Sequence, residues 1–219
     1  MSAPTIADPY VTRVAGSPSV VPREGKVVFG GPQDGPLSAD ELAKVDQSGY
    51  LQIEALVTPD EVTAMSDELH RLANDDDVKN DERTIIVPKT KEVRSIFEVH
   101  RSNELFKRIT HDPRLVDRAR QILGSDVYIH QSRVNLKPGF VGKEFSWHSD
   151  FETWHAEDGM PNPRAISISV ALTENYTFNG PLMIMPGSHR EYISCVGETP
   201  DDNYLESLVM QGAGTPDEW

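Results

Sequence analysis

Residues 126–139, "DVYIHQSRVNLKPG", mark a change of period in this chain. Before them, apolar residues recur at helical spacing; from here on they alternate. Gln131, Arg133 and Asn135 fall on one side of an extended run, and Ser132, Val134 and Leu136 on the other. The alternation returns in residues 164–175, "RAISISVALTEN", where Ile166, Ile168, Val170 and Leu172 oppose Ser167, Ser169, Ala171 and Thr173. Residues 180–189, "GPLMIMPGSH", read as another short strand ending at a Pro186-Gly187 turn.

Working upstream, the helices announce themselves by their caps. "SADE" (38–41) offers Ser38 as N-cap and Glu41 as its capping-box partner. "TPDE" (58–61) repeats the device with Thr58, Pro59 and Glu61, and Val62, Met65, Leu69 and Leu72 follow at helical spacing. "DPRLVDRARQILG" (112–124) predicts a third helix capped by Asp112 and stopped by Gly124. "NDDD" (74–77) reads as a solvated loop. Residues 1–36 are rich in Gly and Pro and read as an irregular arm with a short strand at 26–29. Helices first and strands later predict an α+β protein with a sandwich or barrel. The expected organisation is an arm (1–36) and one domain (37–219), helical over 37–125 and β over 126–219. Too few strands precede residue 219 to close a barrel, so the domain is expected to be incomplete in this chain.

The composition narrows the partners. The 219 residues carry 35 acidic and 21 basic side chains, a net charge of −14. Phosphate backbones and anionic membranes are repelled by such a chain, so neither nucleic acid nor a membrane surface is an expected partner. The single cysteine, Cys195, leaves no internal disulfide and no cysteine zinc site. The N-terminus has no basic region followed by an apolar run, and a cytoplasmic location is expected.

Residues 145–164, "FSWHSDFETWHAEDGMPNPR", crowd polar groups around two tryptophans. Set on a strand, His148 and Asp150 point to the same side, about 7 Å apart along the backbone. Imidazole and carboxylate there can share a metal ion. They suit iron, and a second histidine would complete a 2-His-1-carboxylate triad with three open positions. The plainer alternative is a surface or capping pair. Gln131, Arg133 and Asn135 on one strand, with Ser167 and Ser169 on another, describe a wet pocket. The two serines fit a solvated outer face equally well.

"FSWHSDFETWHAEDGMPNPRAISISVALTENYTFNGPLMIMPGSH" closely resembles the ectoine hydroxylases, in the phytanoyl-CoA dioxygenase-like family of iron(II)- and 2-oxoglutarate-dependent oxygenases. "WHSDFETWH" with "EDG" is specific to that subgroup, whereas "NGPLMIMPGSH" is shared more widely. The resemblance extends back through "IHQSRVNLKPG" and, more loosely, the helical half. It implies a double-stranded β-helix, or jelly-roll, core with N-terminal helices packed on it. It implies Fe(II) as cofactor, held by His148 and Asp150, with 2-oxoglutarate and O₂ as cosubstrates and ectoine as substrate, giving 5-hydroxyectoine. The family's second histidine and the arginine for the distal 2-oxoglutarate carboxylate lie further downstream, and neither is found here. His189, in "PGSH", sits where the family has no ligand.

By the same similarity, Gln131 and Trp154 contact ectoine. Trp154 can offer a π face to the amidinium ring, although ordinary packing also accommodates it. Arg133 and Asn135 either hold a carboxylate of 2-oxoglutarate or substrate, or, for Arg133, a buried acidic partner. Ser169 is a candidate hydroxyl donor to 2-oxoglutarate. Phe97 either walls the pocket or belongs to the core. His155, of opposite strand parity to His148, is assigned with Glu157 and Asp158 to orienting the loop, and Arg164 to a carboxylate in that loop. Two rival readings stand beside this one. One is a related oxygenase acting on another small cyclic amino acid such as proline. The other is a catalytically incomplete fragment. A homodimer is an assembly open to any of them.

Overall fold

The computed structural model of the chain describes residues 8–136 and 147–197. In chain order the elements are β1 (Val20–Pro22), α1 (Ala39–Ser48), α2 (Pro59–Ala73), α3 (Asp76–Lys79), β2 (Thr84–Ile86), β3 (Val93–Phe97), α4 (Val99–Ser102), α5 (Glu104–Thr110), α6 (Pro113–Leu123), β4 (Arg133–Asn135), α7 (Asp150–Asp158) and β5 (Glu191–Ile193).

The three capped helices form where their caps place them. Ser38 and Glu41 close a reciprocal box on α1, and Thr58 and Glu61 do the same on α2. Asp112 accepts from the Arg114 amide to start α6, and Gly124, at φ 61°, ends it. Gly49 ends α1 at φ 82°, and a Cβ there would lie 2.3 Å from Nδ1 of His189. That close approach brings residues 187–190 onto the end of α1, where His189 Nε2 bonds the Asp46 carbonyl at 2.9 Å. The contact gives His189 a structural place in the fold.

Two sheets are present among the described residues. β2, β3 and β4 form an antiparallel three-stranded sheet in which Ser95 faces Asn135 and Phe97 faces Arg133. β1 pairs antiparallel with β5, which fastens the N-terminal arm to a segment some 170 residues away in sequence. The main core joins Met65, Leu69 and Leu72 of α2 to Val93 and Ile96 of β3 and to Val99 and Phe106. A second cluster gathers Leu37, Leu42, Val45 and Ile122. A third sets Tyr10 between Phe151 and Tyr192. No helix among the described residues is long and apolar enough to cross a membrane.

Four local expectations are corrected. Residues 26–29 are not a strand: Val27 and Val28 pack on the second cluster, and the Phe29 amide donates to the Ile122 carbonyl at the end of α6. Residues 74–77 are not all loop, because Asp75 caps the short helix α3, which starts at Asp76. Residues 164–175 and 180–186 carry no ladder hydrogen bonds among the described residues. Ile166, Val170 and Leu172 still pack against the cores, as their alternation implies, whereas Leu182, Met183 and Ile184 are all exposed. Alternation chooses a buried face, but a strand also needs a neighbour for its N–H and C=O groups.

The region around Asp150 also differs from its expected form. It is not a strand: α7 begins at Asp150, directly after His148 and Ser149. Asp150 and Glu152 stand in the first turn, where the helix dipole favours acids, and Gly159, at φ 72°, closes the C-terminus. Both signals were present in the sequence. The apolar and polar residues of this helix alternate too irregularly to show a helical stripe.

Candidate iron and substrate site

α7 presents two faces. Asp150, Trp154 and Asp158 follow one another at helical spacing on one of them. Phe151, Glu152, His155 and Glu157 turn to the N-terminal arm. Phe151 and Glu152 are buried. The arm's Thr12 donates to Glu152 at 2.8 Å, and Arg13 donates to Glu157 at 2.7 Å. His155 bonds the Met160 carbonyl at 2.7 Å and Asp8 at 3.0 Å. Burial opposes the charge on His155, but those two oxygens hold its pKa above the ordinary histidine value. This chemistry is structural, and it explains three polar groups of the motif, Glu152, His155 and Glu157.

Two more, His148 and Asp150, meet at the helix N-terminus. Nε2 of His148 lies 3.2 Å from Oδ1 of Asp150. Oδ2 of Asp150 accepts from the Ser167 hydroxyl at 3.1 Å. The hydrogen bond with His148 is the main force holding Asp150 below the usual carboxylate range; burial works against it, and the charges of His148 and Arg133 and the Ser167 hydroxyl add to the lowering. The two sequence-predicted ligand residues therefore meet, although by way of a helix start and not a shared strand face.

The pair fits a metal. Neighbouring ligands of an octahedral ion with bonds of about 2.1 Å stand about 3 Å apart, which is the spacing of the His148 nitrogen and the Asp150 oxygen. An ionised carboxylate and a half-exposed imidazole nitrogen are the donors that a borderline divalent ion takes. The fit extends to two protein ligands. All seven histidines of the chain are among the described residues, and no group of three His, Cys, Asp or Glu there stands close enough to hold a metal.

The remaining candidates lie on β4 and just before it. Arg133 packs with its guanidinium carbon 6.0 Å from the Phe97 ring centre, and its charge reaches Asp150. Asn135 accepts from the buried Ser95 hydroxyl at 2.7 Å. Gln131 is exposed and lines a cleft of ≈ 400 Å³ with Phe97, Glu98, His100, His130 and Asp158. Trp154 is half-buried, with its ring 5.1 Å from that of His130 at 74°. Ser169 is exposed, two residues beyond the serine that bonds Asp150. Phe97 contributes to this cleft. Arg164 departs from its expected role: it donates to the Leu123 carbonyl and lies 4.2 Å from the Phe29 ring centre. It thus caps the end of α6, where carbonyls lack helical partners.

With this arrangement in view, comparison with known proteins decides the family. The phytanoyl-CoA dioxygenase (PhyH) model matches residues 45–216. The chain belongs to the PhyH family. Within that family it is 57% identical over 212 residues to the ectoine dioxygenase of Streptomyces coelicolor, covering 96% of this chain and 71% of that protein. It is 52% identical to the ectoine dioxygenase of Bordetella bronchiseptica, covering 68% of that protein. The crystal structure of EctD from S. alaskensis with 2-oxoglutarate and 5-hydroxyectoine superposes with a TM-score of 0.82 at 44% identity, covering 90% of this chain and 70% of that one. A structure of the same protein with bound Fe gives 0.80 at 46% identity, covering 86% of this chain and 67% of that one. This PhyH chain therefore has the α+β fold of those enzymes, with helices set on a double-stranded β-helix core.

Proposed function

We propose that this protein is an ectoine dioxygenase that converts ectoine to 5-hydroxyectoine with Fe(II), 2-oxoglutarate and O₂. The observation that carries this is the pairing of His148 with Asp150 at 3.2 Å, one helical turn before Trp154, in a chain so similar to ectoine dioxygenases. His148 and Asp150 would hold the iron. Bound together, iron and 2-oxoglutarate supply the oxidising power that puts one oxygen atom of O₂ on a ring carbon of ectoine and the other in succinate, with release of CO₂.

The chain's own residues have simpler tasks. Ser167 fixes the rotation of the Asp150 carboxylate, leaving Oδ1 toward His148. Trp154 offers its face to the delocalised cation of ectoine, and Gln131 can both donate to and accept from a small zwitterion. Arg133 is the fixed positive charge for a carboxylate, with Asn135 beside it on the same strand face. Ser169 is assigned as a hydroxyl donor to 2-oxoglutarate. The same proposal takes residues 37–219 as the oxygenase domain and 1–36 as its arm. It places the protein in the cytoplasm with no nucleic acid partner, in keeping with its net charge of −14.

Two forms test it: the 219 residues alone, and the same residues continued with the remainder of the Streptomyces coelicolor relative. Succinate release is measured with ectoine and with proline. Ectoine-dependent release that disappears in His148→Ala and Asp150→Ala is the expected result for the continued form. Release that follows proline, or survives either substitution, rejects the substrate or the ligands respectively. The form of 219 residues is expected to bind iron(II) weakly, because two of its side chains meet at the site.

A further inference from the structure

We infer that His130, held by Asp158, is a positioning residue that sets the orientation of Trp154. This inference rests on the proposed contact between Trp154 and ectoine and adds to it His130, which has no assigned role, and a specific partner for Asp158. His130 precedes the candidate substrate residue Gln131 directly. Its Nε2 lies 3.0 Å from Oδ2 of Asp158, and its ring meets the Trp154 ring edge-on at 5.1 Å and 74°. Asp158 is the last residue of α7, one turn beyond Trp154 and two turns beyond Asp150 on the same face. His130 also lines the cleft that holds Gln131 and Asp158.

These contacts form one chain of constraints. A tryptophan on a helix surface has several side-chain orientations open to it, and an aromatic neighbour at edge-on distance favours one. A histidine at the end of a short loop can serve as that neighbour only if its own ring is fixed. Asp158 does this by accepting the Nε2 hydrogen. The bond also ties the C-terminal end of α7 to the segment entering β4. The two elements carrying Trp154 and Gln131 are thereby held at a set separation. The pair is partly exposed, so its contribution to global stability is small and its effect is local.

The test reads Trp154 directly. Its emission in the 219-residue chain is the difference between the unaltered protein and Trp154→Phe. In His130→Ala that emission is expected to move to longer wavelength, and its acrylamide quenching to rise about twofold, as a ring freed from its neighbour meets water. His130→Phe keeps the ring contact and should fall between the two. Asp158→Ala should resemble His130→Ala, with a smaller change for Asp158→Asn, which keeps an acceptor oxygen. In the continued form, His130→Ala should raise the ectoine KM about fivefold and leave the 2-oxoglutarate KM unchanged, a split that general loosening of the fold would not give. Unchanged Trp154 emission and quenching in His130→Ala would overturn the inference. If Trp154→Ala leaves the ectoine KM unchanged, the assignment of Trp154 to the substrate fails instead, and the fluorescence still decides the role of His130.

Discussion

Thr12 donates its hydroxyl hydrogen to Glu152 at 2.8 Å across 140 residues of chain. The carboxylate it meets is buried, 3.6 Å from the Arg13 guanidinium, and two residues past Asp150. A buried acid without partners would be costly, so the arm and α7 hold each other in place. Glu152→Ala leaves the Thr12 hydroxyl and Arg13 facing an emptied site. The expected loss is about 2–3 kcal/mol of folding stability, measured by urea denaturation. Glu152→Gln keeps an oxygen for Thr12 and should lose less. Equal losses in the two would show that the charge paired with Arg13, and neither volume nor the Thr12 hydrogen bond, is what matters there.

That contact also shows where the sequence is legible. The capped helices could be read because caps act over three or four residues: Ser38, Thr58 and Asp112 each satisfy an amide in their own first turn. The inward packing of Ile166, Val170 and Leu172 could be read from alternation, but not the exposure of Ile168 between them. The arm's role could not. Asp8, Thr12 and Arg13 carry no local pattern, and their partners on α7 are more than a hundred residues away. At the site, the identities of His148 and Asp150 were legible in their chemistry, whereas the helix that joins them was hidden by a motif polar on two faces. Ser167 was visible in the sequence only as an equal of Ser169. Its bond to Asp150 depends on how the segment after α7 returns.

Trp154→Ala should raise the ectoine KM strongly while slow 2-oxoglutarate decay without substrate hydroxylation persists. Loss of a desolvated contact between a cation and an aromatic face costs about 2 kcal/mol, roughly thirtyfold in KM. Steady-state kinetics of the continued form measures both quantities. An unchanged KM would assign Trp154 to packing against His130 alone.

Gln121 is the polar keystone of the second core cluster. It is 1% exposed; its amide nitrogen donates to the carbonyls of Gly31 and Leu37, and its oxygen accepts from the Leu37 amide at 2.7 Å. Gln121→Leu preserves bulk but strands the N–H and C=O of Leu37, while the Gly31 carbonyl keeps the Asp34 amide. A loss of about 2–4 kcal/mol is expected in urea denaturation, since each buried unpaired group costs about 1–3 kcal/mol before water re-enters. A loss under about 0.5 kcal/mol would mean that water replaces the amide.

Glu61 links the α2 cap to α6 through Arg114, whose guanidinium also holds Asp112. The Arg114 hydrogen bond is the main reason that the Glu61 carboxyl is pulled from 4.5 to about 2, with the Thr58 amide adding to it. A carboxylate with a lowered folded-state pKa contributes stability that is fully present above its unfolded value. That contribution is lost as the pH falls through the folded value. Thermal melts between pH 5 and pH 2 should therefore show stability falling below about pH 4.5, with a shallower fall in Glu61→Gln. Parallel curves for the two proteins would exclude this site as a source of the acid sensitivity.

Tyr10 is the arm's anchor on α7. Its side chain is 0% exposed, and its ring meets Phe151 and Tyr192 edge-on, each at 5.2 Å, with His155 at 6.0 Å. Its hydroxyl oxygen accepts from the Glu24 amide at 2.8 Å, which folds the arm back on itself. Tyr10→Phe removes the hydroxyl alone and should cost about 1 kcal/mol. Tyr10→Ala empties an aromatic site and should cost about 3–5 kcal/mol. Phe151, which loses its neighbour, follows Asp150 on the same helix turn, so the damage should spread to the helix start. Iron(II) titration of the continued form should show weaker binding in Tyr10→Ala than in Tyr10→Phe, under conditions where both remain folded by circular dichroism. If iron affinity is the same in the two while stability differs by several kcal/mol, the arm supports the fold without setting the position of Asp150.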